Sequence, residues 1–239
     1  MNDFESAESL FINCCFDEAL PLLEKLVEQG NAKAMYCIGE YYRYGYGSIV
    51  KDYEKALYWW KKSAENGYAV AEMMTGCEYD IYSEERHMIY NSTKTSVMKL
   101  VKSGDIFAQC ELGAWLDGDY DYICGKDKRK GRDLLRKAVE KGYFKAMYLL
   151  GFHYDMGHGS TEKNSFEKAV YWNEKSASKG HALSIMVLIY IYTDSPEVYY
   201  ASESEKAEYL KKARFWYNKA LELGFTEVTE RFKDSDFMK

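Results

Sequence analysis

Glycine recurs along this chain at nearly regular intervals, each time after a stretch that is rich in lysine and glutamate and has the apolar periodicity of a helix. Successive steps in the series are 37, 37, 38, 38 and 44 residues. The glycines of the series are Gly30, Gly67, Gly104, Gly142, Gly180 and Gly224. Nine residues after the first five come Gly39, Gly76, Gly113, Gly151 and Ile189. An internal period of this length predicts a solenoid, in which each unit buries its apolar face only against its neighbours.

Two stretches of the chain show the pattern in full. The first contains Ala34, Gly39, Gly45-Tyr46-Gly47, Trp59 and Gly67. The second contains Ala146, Gly151, Gly157-His158-Gly159, Trp172 and Gly180. This combination resembles the Sel1-like repeat family, which is related to the tetratricopeptide repeats but carries a longer loop with Gly-x-Gly between its two helices. Weaker copies at 69–104, 106–142 and 182–224 extend the resemblance over most of the chain.

The resemblance implies an all-α fold, a right-handed α-solenoid (α/α superhelix) of about five Sel1-like helix-turn-helix repeats with capping helices at its ends. Only two prolines occur, and no linker-like stretch interrupts the repeats, so we expect a single domain. Within it, residues 1–31 are predicted to form an N-terminal helical pair and residues 32–225 the repeats. Residues 226–239 are predicted to form a C-terminal capping helix and tail.

Each repeat places small and aromatic residues at helical spacing on the facing sides of its two helices. Ala34, Ile38 and Tyr41 fall on one face of the first helix of a repeat. The small residues predict close approach of the two helices. We expect the tryptophans of the second helices to fill the wedge between successive repeats, and these are Trp59, Trp172 and Trp216.

The composition limits the classes of partner. The formal net charge is −6, and the basic residues are spread along the second helices among acids. Phosphate binding needs clustered lysine and arginine, so the sequence argues against a nucleic-acid partner. The first residues lack the basic and apolar regions of a signal peptide, and no apolar run approaches the roughly 20 residues of a membrane span. We therefore expect a cytoplasmic protein without a membrane partner.

Residues of the types that bind metals or ligands or take part in catalysis are scattered along the chain. The cysteines are Cys14, Cys15, Cys37, Cys77, Cys110 and Cys124. Only the adjacent first pair comes close to the spacing of a zinc site, so we expect buried thiols in a reducing compartment and no metal or cofactor. Gly45-Tyr46-Gly47 joins two helices, whereas a phosphate-binding loop follows a strand. The irregular stretch Asp119–Tyr122 with His153 is the one place where an enzyme or small-ligand site is conceivable.

A stripe of residues on the first helices is the best candidate for a binding surface. Ala34, Ala71, Ala108, Ala146 and Ser184 occupy equivalent small positions. The residues two, six and nine places later point away from that contact and are predicted to line the concave face of the superhelix. The candidates are Tyr36, Glu40, Arg43, Met73, Asp80, Asp117, Tyr148, Phe152, Asp155 and Tyr190. Exposed aromatics and methionine suit an interface, and the acids favour a basic partner. The alternative is that the aromatics pack between repeats.

The sequence therefore predicts a non-catalytic scaffold or adaptor that binds a partner protein through its concave face, as a monomer or weak dimer. A sharper alternative is an immunity protein that neutralises a bacterial toxin, a role that some Sel1-like proteins have. A second alternative is a hydrolase or small-ligand binder. The repeat pattern is irregular at 80–92, 118–129 and 193–205, and these loops are where a function particular to this chain would have been added.

Overall fold

The structure, a computed structural model, describes residues 3–76, 79, 83–117, 127–155 and 165–235, and the regular elements within them are helices. The chain forms two compact units, Met1–Tyr143 and Phe144–Lys239. The helices of the first unit are α1 (Asp3–Ile12), α2 (Phe16–Glu28), α3 (Ala32–Tyr44), α4 (Tyr53–Glu65), α5 (Ala69–Thr75), α6 (Glu84–Lys102), α7 (Ile106–Asp117) and α8 (Lys128–Glu140). Those of the second are α9 (Phe144–Asp155), α10 (Ser165–Ala177), α11 (Ala182–Asp194), α12 (Pro196–Tyr199), α13 (Glu203–Glu222) and α14 (Thr226–Phe232).

Within each unit the helices pack as sequential pairs, as the repeat pattern predicts. In the first unit α1 packs on α2, α3 on α4, α5 on α6 and α7 on α8, and in the second α9 packs on α10 and α11 on α13. The region predicted to form an N-terminal helical pair contains α1 and α2, and the region predicted to form a C-terminal capping helix contains α14. Their capping role stays a prediction. The predicted fold class, an all-α solenoid of helix-turn-helix repeats, is confirmed. The single-domain organisation stays a prediction.

The closing glycines end their helices in the way that the sequence predicts. All six have a left-handed backbone, with φ between 71° and 91°. A residue with a Cβ is strained there, which is why glycine recurs at the position that terminates a helix. The next helix then often begins at a polar cap. The side chain of Asn31, for example, accepts a hydrogen bond from the backbone N–H of Ala34 at 3.0 Å.

The small residues on the first helices face large residues on the second ones. A Cβ on Gly39 would overlap the indole of Trp60, which is 0% exposed, and a Cβ on Gly151 would overlap the side chain of Asn173. The tryptophan that packs between the two helices of this repeat is Trp60, whereas the filling of the wedge between successive repeats by its neighbour Trp59 stays a prediction. A step of one residue turns a helix by about 100°, and this leaves Trp59 only half-buried.

The Gly-x-Gly loop between α3 and α4 has a packing role. The ring of Tyr46 is buried and stacks on Phe16 with ring centroids 4.3 Å apart. The hydroxyl of Tyr41 donates to the carbonyl of Phe16 at 2.6 Å. These contacts fasten the first complete repeat to the N-terminal pair. The corresponding loop at Gly157-His158-Gly159 lies outside the described residues.

Candidate partner-binding surface

In unit 1, the first helices α3 and α7 are buried on nearly every side over much of their length. Residues 34–41 of α3 and residues 106–113 of α7 are all buried. The second helices, in contrast, bury one stripe and expose the rest. In α4, for example, the buried residues are Ala56, Leu57, Trp60 and Ser63. An inward-facing side chain on a first helix of unit 1 therefore meets protein rather than solvent.

Aromatic rings fill the interior of unit 1. The ring of Phe107 on α7 lies 5.9 Å from Phe11 on α1 and 5.2 Å from Tyr36 on α3. Two tyrosines that follow closing glycines complete the cluster: Tyr68 lies 5.5 Å from Tyr36, and Tyr143 lies 5.6 Å from Phe107. The tilted and edge-to-face geometries are those that aromatic pairs prefer. Side chains that are far apart in sequence thus fill the inner side of this unit.

Polar groups inside this cluster are hydrogen-bonded. The hydroxyl of Tyr36 donates to Glu111 Oε1 and that of Tyr68 to Asp105 Oδ1, each at 2.9 Å. The ammonium group of Lys33 pairs with the buried carboxylate of Asp105. Burial, reinforced by Glu111, raises the pKa of Tyr36 well above its usual range, so the phenol stays a neutral donor.

The predicted concave stripe is therefore not an open surface in unit 1. Tyr36, Glu40 and Met73 are 0% exposed, and the expectation that they line an open face is wrong. The physical reason is that α1, α3 and α7 approach closely enough for their inward side chains to touch. Arg43 is exposed, with its guanidinium 5.2 Å from the centre of the Tyr53 ring. Asp80, and the side chain of Asp117, lie outside the described residues.

In unit 2 the equivalent positions are partly open. Tyr148, Phe152 and Tyr190 are half-buried, and so is Met186 at another position of the same kind. We call these four side chains the inner-face row. The rings of Tyr148 and Phe152 lie 6.2 Å apart on α9. The side chain of Asp155, the other predicted residue on this helix, lies outside the described part.

The far end of the inner-face row touches the capping helix. The ring of Tyr190 lies 4.9 Å from Phe232 of α14. Arg231 stacks its guanidinium 5.2 Å from the centre of the same ring and donates from Nε to the tyrosine hydroxyl. These contacts hold Tyr190 in place and leave part of its ring accessible.

A buried serine–histidine network in unit 2 is absent from the sequence predictions. His181 Nδ1 lies 2.9 Å from Ser184 Oγ and 3.1 Å from Ser176 Oγ, while Ser176 donates to the Phe144 carbonyl at 2.9 Å. Burial, aided by the charge of Lys145, lowers the pKa of His181 to about 3, so the ring is neutral. All three residues are buried, and Ser63 makes the corresponding bond to Ala32 in the first repeat. The network therefore ties helices together.

The other candidates for chemistry lie partly outside the described residues. Asp119–Tyr122 lies outside the described residues, and His153 is half-buried with its ring 6.1 Å from Phe152. Cys37 and Cys110 are buried thiols, and burial raises the pKa of Cys37. No group of three histidine, cysteine, aspartate or glutamate side chains suited to a metal ion occurs in the described ranges. Among these same ranges, no helix is long and apolar enough to cross a membrane.

The last repeat contains a cleft in one of the irregular loops that the sequence indicates. Its volume is about 660 Å³. The lining residues are Thr193, Asp194, Ser195, Val198, Tyr199, Lys206 and Leu210. Tyr199 is 75% exposed and its neighbour Tyr200 is 83% exposed. The sequence predictions do not include these two tyrosines, although an adjacent tyrosine pair inside a polar insertion can be seen in the sequence.

Comparison with known families identifies the repeats. The model of the Sel1 repeat matches residues 32–68, 106–143, 144–181 and 210–225, which together make up more than half of the chain. The chain belongs to the Sel1 repeat family, and the resemblance seen in the sequence is confirmed.

Comparison with individual proteins finds similarity to two plant proteins over a short segment and to several solved structures at low sequence identity. HRD3B of Arabidopsis thaliana, a component of an ERAD-associated E3 ubiquitin-protein ligase, is 43% identical over 51 residues, and HRD3A is 41% identical over the same length. That match covers 21% of this chain and 8% of either relative. Among solved structures, an immunity protein from Pseudomonas aeruginosa has 22% identity and a TM-score of 0.47, covering 91% of this chain and 82% of its own. A Sel1 repeat protein from Oxalobacter formigenes has 23% identity and a TM-score of 0.40, covering 82% and 78%.

Proposed function

We propose that this protein is a non-catalytic scaffold that binds a partner protein through the inner-face row of unit 2. The observation that carries the proposal is the contrast between the two units. Tyr36, Glu40 and Met73 are sealed inside unit 1, whereas Tyr148, Phe152 and Tyr190 at equivalent positions of unit 2 are partly accessible. Half-exposed aromatic side chains that are held in place by neighbours are typical of interface cores, because little conformational entropy is lost when they bind.

The partner in this proposal is a basic protein, and the setting is the reducing cytoplasm. The net charge of −6 favours association with a positively charged surface. The buried, reduced thiols of Cys37 and Cys110 suit a reducing compartment. The scaffold acts as a monomer or weak dimer and needs no cofactor. The immunity role is a special case in which the basic partner is a toxin.

The experiment places a photo-cross-linking amino acid at single positions in the full-length protein in its native cells. Benzoylphenylalanine replaces Phe152 in one variant and Tyr171 in a matched control. Tyr171 lies on the second helix α10 of the same unit and is 48% exposed. We expect one protein to be cross-linked in good yield from position 152 and little or none from position 171.

The affinity of the identified partner for alanine variants then tests which residues contribute to the free energy of binding. Phe152→Ala should weaken binding at least about tenfold, as loss of an interface anchor does, while Tyr171→Ala leaves it unchanged. Binding should weaken as salt is raised if the partner is basic. Equal cross-linking from both positions, or unchanged binding by the folded Phe152→Ala protein, would refute the inner-face row as the site. Rescue of cells from a toxic partner would identify the immunity role.

A further inference from the structure

The cleft in the last repeat is built by residues that the repeat itself does not need. The step between its closing glycines is 44 residues, against 37 or 38 elsewhere. The additional chain forms the one-turn helix α12, which begins at Pro196 and is capped by Ser195, whose Oγ accepts from the N–H of Val198 at 3.4 Å. Val198 is buried and anchors this turn to unit 2. An ordered insertion without a role in closing the repeat is a candidate for an added function.

The same turn presents two tyrosines to solvent. The backbone N–H groups of Tyr199 and Tyr200 donate to the carbonyls of Ser195 and Pro196, each at 3.1 Å. Their rings are perpendicular, with centroids 4.9 Å apart. Because the backbone that carries these rings is already ordered, this segment of the protein loses little conformational entropy when a ligand covers them. Large exposed aromatics of this kind mark contact surfaces.

The net charge of the insertion indicates which kind of ligand the cleft binds. The segment from 193 to 210 contains five acidic residues and one basic residue, a net charge of −4 in a chain whose total is −6. Its acids are Asp194, Glu197, Glu203, Glu205 and Glu208. The one base, Lys206, is already paired with Glu203 at 3.0 Å. The charged residues in the lining of the cleft are Asp194 and this paired Lys206, and Tyr199, Val198 and Leu210 lie beside them.

We propose that this cleft docks an arginine-bearing segment of a partner protein. A guanidinium group is planar and weakly hydrated, so it can stack on the Tyr199 ring and at the same time donate to the Asp194 carboxylate. The apolar side chains of Val198 and Leu210 in the lining accept the aliphatic stem of the arginine or a neighbouring aliphatic side chain. Lysine fits less well, because a strongly hydrated ammonium group cannot stack in this way. The site uses no residue of the inner-face row and is independent of the function proposed above.

The test uses the intact protein and three fluorescein-labelled peptides of equal length, built from alternating leucine and one other residue. That residue is arginine in the first peptide, lysine in the second and citrulline, which is uncharged but has the same shape, in the third. Fluorescence anisotropy at low and moderate salt measures their binding. The arginine peptide should bind at least about threefold more tightly than the lysine peptide, and the citrulline peptide should not bind measurably.

Variants distinguish binding at the cleft from nonspecific electrostatic attraction to an acidic protein. Tyr199→Ala keeps the charge and should weaken binding of the arginine peptide about fivefold, and Asp194→Asn should weaken it by a similar factor. Tyr58→Ala removes a tyrosine of comparable exposure, 54%, in unit 1 and should have no effect. Phe152→Ala should also leave peptide binding intact. The proposal is overturned by absence of binding, by equal binding of the lysine or citrulline peptide, by unchanged binding to Tyr199→Ala, or by loss in Phe152→Ala.

Discussion

At the scale of the residue, several polar side chains in the interior are neutral or paired. Tyr68 donates to the buried carboxylate of Asp105, which also caps α7 by accepting from the backbone N–H of Ala108 at 2.9 Å. In unit 2, His181 lies against serine hydroxyls and between the rings of Phe144 and Tyr148. Burial of an unpaired charge would cost far more than these hydrogen bonds return, so each group adopts the form that its neighbours can satisfy.

The buried histidine predicts a loss of stability in mild acid. The pKa of His181 is about 3 in the folded protein, against about 6.5 for an unperturbed histidine, so between these values the unfolded chain binds the additional proton. The stability due to the neutral ring is complete above about pH 6.5 and is lost as the pH falls. From pH 7 to pH 5 this single group should reduce the free energy of unfolding by about 2 kcal/mol.

Urea denaturation at the two pH values measures this effect, with His181→Gln as the comparison. The variant lacks the titrating ring, so its free energy of unfolding should fall by about 2 kcal/mol less over the same interval. Other groups contribute equally to both proteins and cancel in the difference. Identical pH dependence in the two proteins would mean that His181 is not held neutral in the folded state.

At the scale of the element, three helix pairs place a glycine opposite a larger residue. Gly39 opposes Trp60, Gly113 packs against Leu135, and Gly151 packs against Asn173. Only glycine allows the backbone of the first helix to come this close, which fixes the distance between the two helices of a repeat. The identity of the large residue varies because its task is to fill volume.

Two neighbouring tryptophans on α4 test this arrangement. Trp60→Ala removes a fully buried indole and should lower the free energy of unfolding by about 3–5 kcal/mol. Trp59→Ala, one residue earlier on the same helix and only half-buried, should cost clearly less. Urea unfolding followed by circular dichroism gives both values. An equal or larger loss for Trp59→Ala would show that this residue, and not Trp60, makes the main packing contact of the helix.

At the scale of the whole molecule, the two units use the same positions differently. In the first, rings from α1, α3 and α7 meet and form a core where the repeat pattern predicts a groove. In the second, the corresponding residues form the half-open inner-face row. One repeat pattern thus provides a closed core in one unit and a candidate contact surface in the other.

This difference predicts that a substitution at Tyr36 lowers the stability of the protein without weakening partner binding. Tyr36→Phe keeps the ring but removes the buried hydroxyl that donates to Glu111, so we expect a loss of about 1–3 kcal/mol in the free energy of unfolding. Because the residue is 0% exposed, binding of the cross-linked partner should be unchanged below the unfolding transition. Weaker partner binding at unchanged stability would show instead that Tyr36 contacts the partner.

Much of the fold could be predicted from the sequence because its signals are local. The closing glycines end helices through their own φ angles, the helical spacing of apolar residues sets the faces, and both repeat with the chain. The period therefore determined the helix pairs, their order, the N-terminal pair and the C-terminal helix over Thr226–Phe232.

The tertiary structure alone decided which of the inward residues remain accessible. Tyr36 and Tyr148 occupy equivalent positions and look alike in the sequence, yet one is sealed and the other is half-buried. Small rotations accumulate from repeat to repeat, and their sum determines whether distant helices such as α1 and α7 come within reach of each other's side chains. No single repeat encodes that sum, so the sequence pattern could identify the stripe but not its exposure.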